Sequence, residues 1–297
     1  SSNFVRACCE DNLGNIWIGT FNGLNRFNKS TKLFQNHTTN DVNSDGLTHS
    51  SIWCIVKDNQ GTLWLGTYFG GVNYFNPEYE IYTRYTYSTV EKNGLSYPVV
   101  GRTVEDKDGN LWIGTEGGGL NYYNRRTHEF KWYRPQEGRN SISHNNVKAL
   151  YYDTTKEIIW IGTHLGGLNK LDIRSGQFTH YRMETDNPET LPSDIIRDIV
   201  PYQDLLIIAT QNGVCLFNPA NGKCQQLFKD SKEGRSIKMV ADVEFDKDGT
   251  LWIAATGEGV FSYRFDTHKL NNYHYDPTFP NSLSNNNINN IMQDSKG

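Results

Sequence analysis

The chain has 297 residues, a formal net charge of −4 and a pI near 6.1, and 13% of its residues are aromatic. It has no run of lysine and arginine long enough to follow a phosphate backbone, so we expect no contact with nucleic acid. No apolar stretch approaches the ~20 residues that a transmembrane helix needs. The 27 glycines, against nine prolines, favour short strands joined by tight turns.

A repeat runs through the whole chain. It is marked by five tryptophans and one isoleucine at intervals of 47, 48, 48, 47 and 45 residues, namely Trp17, Trp64, Trp112, Trp160, Ile207 and Trp252. Such a period is typical of β-propellers and other repeat arrays. No window shows sustained apolar residues at positions i, i+3, i+4 and i+7, which argues against a helical solenoid.

Each repeat predicts four strands, which we call a to d in chain order. Strand a leads into a turn of pattern D-x-x-G-x-[LI]-W, which begins at Asp11, Asp58, Asp106 and Asp246. An aspartate that accepts hydrogen bonds from its own turn and a glycine with positive φ are hairpin chemistry. Strand b reads WIGT, strand c reads GLNRFN, each with variants, and strand d is the most variable, as in residues 32–36.

Four strands per repeat predict an all-β fold, a β-propeller of four-stranded antiparallel blades. The repeats cover approximately residues 5–51, 52–99, 100–146, 147–195, 196–239 and 240–287, which makes six complete blades in a single domain. Residues 288–297 match strand a and its turn, so we expect the first strand of a seventh blade and a parent protein with seven blades. The alternative is a chain end that adds a strand to a six-blade ring. An open blade edge would also invite self-association.

The fifth repeat departs from the pattern. It reads VPYQDLLIIAT from Val200 and lacks the aspartate, glycine and tryptophan of the a–b turn. Its apolar run still suits a buried strand. We therefore predict a blade with a shorter a–b hairpin.

Antiparallel order places the a–b and c–d turns on one face and the b–c and d–a connections on the other. The a–b turns are nearly uniform, whereas the b–c tips all differ, being Phe21, Tyr68, Glu116, His164, Gln211 and Gly257. The second position of strand a reaches the same face and carries Arg6, Trp53, Gly101, Lys148, Arg197, Ala241 and Asn289. Uniform positions indicate scaffold, and diversified positions indicate recognition.

On this b–c face we select nine candidate ligand-binding residues, Trp53, Tyr68, Arg102, Glu116, Lys148, His164, Arg197, Gln211 and Glu258. Aromatic rings beside fixed donors and acceptors suit a polar ligand with apolar C–H faces, such as an oligosaccharide. Any one of these residues alone is also explained as an ordinary solvated loop residue. We predict no catalytic residue, no metal site and no cofactor, since the DKDG turns lack the acidic ligand spacing of an EF-hand loop.

The five cysteines show no zinc-ligand spacing. Cys215 and Cys224 flank a turn, and an antiparallel pairing of the two flanking segments would bring them within reach of a disulfide. The alternative is a pair of half-buried thiols in a reducing compartment. The sequence leaves both interpretations open.

The combined motif D-x-x-G-x-L-W-I-G-T and G-G-L-N-x-[FY]-[ND] resembles the two-component regulator propeller repeat. Residues 106–124, DKDGNLWIGTEGGGLNYYN, carry it most fully, residues 12–28 carry it more weakly, and the resemblance covers essentially the whole chain. It implies the periplasmic sensor region of a hybrid two-component regulator, anchored in the inner membrane through its parent. The parent would carry the histidine kinase in the same chain and could form a homodimer.

The resemblance also implies a signal. Members of the family in polysaccharide-degrading gut bacteria sense glycan breakdown products and switch on the matching degradation genes. The leading hypothesis is therefore a non-catalytic sensor of a glycan-derived oligosaccharide. No ligand residue can be transferred from the family, because its shared motif is scaffold.

Two other functions remain open. Propeller lyases that inactivate streptogramins look similar in their short tryptophan-rich repeats and use a metal with a histidine base, and here His49, His144 and His164 map to the b–c face. Glu116 and His164 occupy equivalent tips of adjacent blades and form the pair to test. The third function is a protein-interaction scaffold, although the polar b–c face favours a polar ligand.

Overall fold

The computed structural model describes residues 2–39, 46–77, 81–229 and 237–295. The chain forms six four-stranded antiparallel sheets, and in each sheet the strands follow one another in sequence order. Each sheet is one blade, so the predicted fold class, an all-β propeller of four-stranded blades, is confirmed. The chain divides into two compact units, Ser1–Ile159 with Asp172–Phe178, and Trp160–Leu171 with Thr179–Gly297.

The first unit contains blades one to three, and the boundary between the units passes through blade four. The strands of blades one to three are β1 Val5–Glu10, β2 Ile16–Thr20, β3 Gly23–Phe27, β4 Phe34–His37, β5 Ile52–Lys57, β6 Leu63–Thr67, β7 Val72–Asn76, β8 Ile81–Tyr85, β9 Val100–Glu105, β10 Leu111–Thr115, β11 Gly119–Asn124 and β12 Glu129–Tyr133. A short 3-10 helix, Glu91–Asn93, lies between β8 and β9.

The strands of blades four to six are β13 Val147–Asp153, β14 Ile158–Thr163, β15 Leu168–Asp172, β16 Gln177–Tyr181, β17 Ile196–Tyr202, β18 Leu205–Thr210, β19 Gly213–Phe217, β20 Cys224–Gln226, β21 Val240–Phe245, β22 Leu251–Ala255, β23 Gly259–Arg264 and β24 Lys269–Tyr273. Blade five has the shorter hairpin that its sequence predicts, because Tyr202 pairs directly with Leu205. Residues 288–295 form no strand, although the amide of Ile291 donates to Asp242 Oδ2 at 2.7 Å.

The a–b turns are held by the predicted aspartate. In blade two, Asp58 Oδ1 accepts the amides of Gln60 and Thr62 at 2.8 and 2.9 Å. Asp58 Oδ2 accepts the indole N–H of Trp64 at 2.7 Å. The same indole bond is made to Asp11 in blade one and to Asp246 in blade six. The aspartate therefore closes the turn and also fixes the buried tryptophan of strand b.

The glycine of the WIGT strand permits close approach of the next blade. A Cβ atom at Gly66 would lie 2.6 Å from Val100 Cγ1, and a Cβ at Gly114 would lie 2.6 Å from Val147 Cγ1. The same spacing recurs between Gly19 and Ile52, at 2.7 Å. Strand b of one blade thus packs directly on strand a of the following one, and this contact contributes to the apolar core of the first unit.

Two polar residues recur on the b–c face, a threonine at the end of strand b in blades one to five and an asparagine in strand c of blades one to four. The hydroxyl of the threonine that ends strand b donates to the carbonyl of the glycine at the start of strand c. This bond measures 2.8 to 2.9 Å at Thr67, Thr115 and Thr210. The buried Asn73 and Asn121 side chains accept the amides of Thr48 and Ser96 at 3.0 and 2.8 Å. These bonds tie the d–a connections to the b–c turns.

Candidate functional site

A β-bulge aims the second residue of strand a toward the b–c face. In blades one and two, the residues before and after this position pair with consecutive residues of strand b, so Arg6 and Trp53 are left as the extra residues. Arg197 and Ala241 hold the same position in blades five and six. A bulge turns one side chain away from the regular alternation of the strand. The sequence pattern predicts that this position is special, and the bulge explains how its side chain leaves the alternation of the strand.

In the first unit, these bulge residues meet the b–c tips. The guanidinium carbon of Arg6 lies 4.1 Å from the ring centre of Trp53 and 4.8 Å from that of Phe21. The ammonium of Lys148 lies 5.6 Å from the Trp53 ring, and it forms an ion pair with Glu116. The rings of Trp53 and Tyr68 are 5.8 Å apart. We call Arg6, Trp53, Tyr68, Glu116 and Lys148 the cation–aromatic cluster.

The charges of this cluster are only partly solvated. Burial lowers the pKa of Arg6, and the nearby charges of Glu116 and Tyr68 oppose that shift. The side chains of Lys148 and Glu116 are 20% and 18% exposed. The indole Nε1 of Trp53 is buried and has no hydrogen-bond partner among the described residues. The cluster therefore combines fixed, partly buried charges with a buried indole donor, and Arg6 and Lys148 lie against the Trp53 ring.

Open aromatic surface comes from residues that the sequence analysis did not select. Phe21 and Phe69 are 54% and 55% exposed, and the rings of Tyr68 and Phe69 meet edge to face at 4.4 Å. Arg6 was recognised as a residue of strand a but was not among the nine candidates. The signal for Phe69 was the pair of consecutive aromatic residues at the b–c tip, and for Arg6 it was its equivalence to Trp53.

A groove of about 490 Å³ opens on the same face beside the Glu116 tip. Its lining residues come from the d–a connections of blades two and three and from one tip glycine, namely Tyr87, Ser96, Tyr97, Pro98, Gly117, Arg134 and Asn145. Arg134 stacks on Trp132 at 4.5 Å and donates to the carbonyl of Ser96 at 3.0 Å. The sequence shows that these connections are polar, but it does not show that Tyr97 and Arg134 line a groove.

The other candidates lie outside this cluster or in the second unit. Arg102 follows the bulge position of blade three and is equivalent to Cys54 of blade two. Burial raises the pKa of the Cys54 thiol, and the nearby positive charge of Arg102 partly offsets this rise. In the second unit, Arg197 donates to Gln211 Oε1 at 2.6 Å, which repeats the pairing of a bulge residue with its own b–c tip. Residue 164 forms a backbone bridge with Ile195.

In blade six, the residue equivalent to the Tyr68 and Glu116 tips is Thr256. Its amide donates to the carbonyl of Met239 at 3.1 Å, as the amide of Glu116 donates to Val99 at 2.9 Å. The tip predicted at Gly257 is therefore displaced by one residue, because Ala255 pairs with Gly259 as Thr115 pairs with Gly119. Glu258 lies two residues beyond the tip, and its role stays a prediction.

Two of the face histidines support the connections. His49 Nδ1 accepts the amide of Ser51 at 3.0 Å, and His144 Nδ1 accepts the amide of Asn146 at 3.0 Å. Each acceptor nitrogen is therefore unprotonated in this arrangement. In the part of the chain that the structure describes, no group of three or more histidine, cysteine, aspartate or glutamate side chains could hold a metal ion. The Glu116–His164 pair stays a prediction.

Cys215 and Cys224 lie together in the core of blade five. Their Sγ atoms are 3.6 Å apart and both are free thiols, whereas a disulfide requires about 2.05 Å. The two residues are diagonal neighbours, since Cys215 pairs with Gln226 and Cys224 pairs with Phe217. The hydrogen bond to Cys224, together with burial, raises the pKa of the Cys215 thiol well above its ordinary value. The disulfide stays a prediction.

Comparison with known proteins identifies the repeat. The two component regulator propeller family matches residues 1–22, 46–69 and 94–117. A search of curated protein sequences finds no significant match. Within the described residues, no helix is long and apolar enough to cross a membrane.

Solved structures share the fold. The extracellular domain of a Bacteroides thetaiotaomicron protein described as a hybrid two component system, BT3049, superposes with a TM-score of 0.85 at 22% identity, over 99% of this chain and 38% of that one. A second such domain, BT4673 of the same organism, gives a TM-score of 0.56 at 23% identity, over 93% of this chain and 44% of that one. Virginiamycin B lyase from Staphylococcus aureus gives 0.67 at 10% identity, over 91% and 84%.

The chain thus spans 38% and 44% of the length of these two-component ectodomains. Sequence identities this low show that the folds are similar. They do not show that this chain binds the ligand of any of these proteins. The repeat motif is the more specific evidence, since its matched segments carry the D-x-x-G turn and the WIGT strand of blades one to three. Residues 1–22, 46–69 and 94–117 therefore match the two component regulator propeller repeat, as the sequence motif predicts.

Proposed function

We propose that this chain is the ligand-sensing part of a two-component regulator and that it binds an oligosaccharide without turning it over. The observation that carries the proposal is the cation–aromatic cluster, in which Arg6, Trp53, Tyr68, Glu116 and Lys148 converge on one face. Proteins bind polar ligands where aromatic surface meets a few fixed polar groups. The groove of about 490 Å³ beside Glu116 supplies room for a second ligand unit.

The wider context of the proposal is the family. A sensor in the periplasm, joined to a kinase in the same chain through an anchor in the inner membrane, is the arrangement that the repeat favours. Ligand binding on the b–c face would then change the geometry of the propeller or of a parent homodimer, and that change would be the signal.

Calorimetric titration of the 297-residue chain with a panel of glycan-derived oligosaccharides tests the proposal. We expect one structural class to bind, with affinity reduced about tenfold or more by Trp53→Ala. Leu13→Ala is the matched control, because Leu13 is 62% exposed on an a–b turn and should leave affinity unchanged. No binding of any member of the panel, or equal loss in both variants, would reject the assignment.

The same samples discriminate the enzyme alternative. The likeness to virginiamycin B lyase, which covers 84% of that chain, is the observation that keeps a lyase under consideration. Mass spectrometry of each titrated oligosaccharide, and of a streptogramin incubated with the chain and divalent metal, would reveal a product of altered mass or fragmentation. Turnover that is abolished by His164→Ala would replace the sensor proposal with the lyase.

A further inference from the structure

Arg125 of blade three occupies the a–b turn of blade two. Its Nη2 donates to Asp58 Oδ2 at 2.6 Å, and its guanidinium carbon lies 4.8 Å from the ring centre of Trp64. The same carboxylate oxygen accepts the Trp64 indole at 2.7 Å. The Asp58 side chain is 1% exposed, and that of Arg125 is 20% exposed. Blade two thus shows how one repeat binds a guanidinium group from the next.

Blade three repeats most of these walls without the guanidinium. One wall differs, because Glu105, which also pairs with Arg125 at 3.4 Å, corresponds to Tyr152 in the blade-three cavity. Asp106, Trp112, Tyr122 and Tyr133 are the equivalents of Asp58, Trp64, Tyr74 and Tyr85, and the Trp112 and Tyr122 rings are 4.8 Å apart, as are Trp64 and Tyr74. The residue that corresponds to Arg125 is Ile173. A cavity of about 220 Å³ lies between these side chains, with Tyr152 and Glu157 on its further side.

A buried indole N–H, that of Trp112, lies at the cavity. Trp112 is 2% exposed, and its Nε1 has no hydrogen-bond partner among the described residues, unlike the indoles of Trp17, Trp64 and Trp252. A buried N–H without an acceptor costs about 1–3 kcal/mol. A bound group that brings an acceptor, or that draws Asp106 toward the indole, would remove this cost.

The carboxylate of Asp106 also lines the cavity. Over the described ranges, no lysine or arginine forms an ion pair with Asp106, which is 8% exposed and accepts only amide donors. Lys107 lines the cavity but is ion-paired with Glu157, which also pairs with Arg174. The ammonium of Lys131 does not pair with Asp106 in the described structure, and it lies 4.7 Å from the centre of the Tyr133 ring. Aromatic faces beside a buried carboxylate attract organic cations.

We infer that the blade-three cavity binds the guanidinium group of a ligand, in the place that Arg125 fills in blade two. Binding would let one Asp106 oxygen accept both the guanidinium and the Trp112 indole, as Asp58 Oδ2 does. The site is at the opposite ends of the blade-three strands from the cation–aromatic cluster. The guanidinium could belong to a free small molecule or to an arginine side chain of a partner protein.

Titration calorimetry of the 297-residue chain tests this inference with three probes. N-acetyl-L-arginine amide should bind, and N-acetyl-L-citrulline amide, which has nearly the same shape but no charge, should bind at least about tenfold more weakly. Agmatine supplies the guanidinium as a free small cation. Equal binding of agmatine and the arginine amide points to a small-molecule source, and tighter binding of the amide points to a protein side chain. Equal binding of the arginine and citrulline amides, or no binding of either, would overturn the inference.

Ile173→Arg places a guanidinium in the cavity from the chain itself. We expect this variant to lose binding of the arginine amide and to melt at a higher temperature than Ile173→Gln, which has no charge and should retain binding. Asp106→Asn is the second variant, since its amide keeps an oxygen for the turn while removing the negative charge. Unchanged affinity in both Ile173→Arg and Asp106→Asn would show that the probe binds elsewhere, and the inference would fail.

Discussion

On the a–b face, Trp17, Trp64 and Trp252 donate to an aspartate of their own turn at 2.7 to 2.8 Å, and the same bond holds each hairpin. On the b–c face of the first unit, Arg6 stacks on Trp53 and Lys148 pairs with Glu116, so the contacts join residues that share no motif. The repeat therefore preserves a local bond where it needs stability. It varies the residues where neighbouring blades contact one another on the b–c face.

The largest effect should come from Asp58→Ala. The change removes acceptors for two turn amides and for Trp64, and it leaves Arg125 only the longer ion pair with Glu105, at 3.4 Å. We expect a loss of about 3–5 kcal/mol in the free energy of unfolding by urea. Asp246→Ala, which lacks an equivalent of Arg125, should lose about 2 kcal/mol. Equal losses would show that the ion pair contributes nothing to stability.

The second effect tests the close packing between blades. A Cβ at Gly66 would lie 2.5 Å from Cys54 Sγ and 2.6 Å from Val100 Cγ1, so Gly66→Ala should cost about 1–3 kcal/mol by urea unfolding. The equivalent residue in blade six is already Ala254, which is fully buried. Ala254→Gly is therefore the control and should cost about 1 kcal/mol or less. A Gly66→Ala variant as stable as the parent would contradict the packing assigned to this glycine.

The third effect belongs to the b–c face. Lys148→Met and Glu116→Gln each remove one partner of a pair that is 20% and 18% exposed, so stability should change by about 1 kcal/mol or less. The free energy of oligosaccharide binding should change by more than the free energy of unfolding does. Calorimetry and urea unfolding of the same two variants would measure both quantities. A large loss of stability would place this pair with the scaffold instead of the recognition face.

The smallest effect is a pH dependence in the blade-three cavity. Burial, together with the charges of Asp106, Tyr133 and Asp108, raises the pKa of Tyr122 from 10.0 to about 12. Because the folded state favours the neutral phenol, this contribution to stability is complete below pH 10 and is lost as the pH rises toward about 12. Phenolate absorbance of the chain, compared with Tyr122→Phe, should show one tyrosine that ionises late. An ordinary titration of Tyr122 would exclude the negative surroundings that the cavity requires.

The fold could be predicted because its determinants are local. The D-x-x-G turn, the short b–c turn and their 47-residue recurrence are all visible within one repeat. The hairpin of blade five was also predictable, since the shortened sequence after Val200 permits only a tight turn. Strand d of blade one begins at Phe34 instead of residue 32, because Lys32 has a positive φ of 59° and belongs to the c–d turn.

The site could be predicted only in part, because its contacts join residues from different repeats. The sequence identified Trp53, Tyr68, Glu116 and Lys148 as members of one face, and the structure places them with Arg6. It gave no sign that Arg6 would lie on the Trp53 ring or that Tyr97 and Arg134 would line a groove. The one-residue displacement at Thr256 arose because WIAAT has the same length as WIGT plus its tip residue, and only the strand register resolves the two.

The bulge in strand a has a consequence for how such a protein can be altered. Residues 6, 53, 197 and 241 are extra to the hydrogen-bonded ladder, so their side chains are Arg, Trp, Arg and Ala without any change in the pairing around them. Blades one, two, five and six thereby each carry one position whose side chain is uncoupled from sheet formation. A library confined to these positions would vary ligand preference at nearly constant foldability, and natural duplication of the blade would have offered evolution the same freedom.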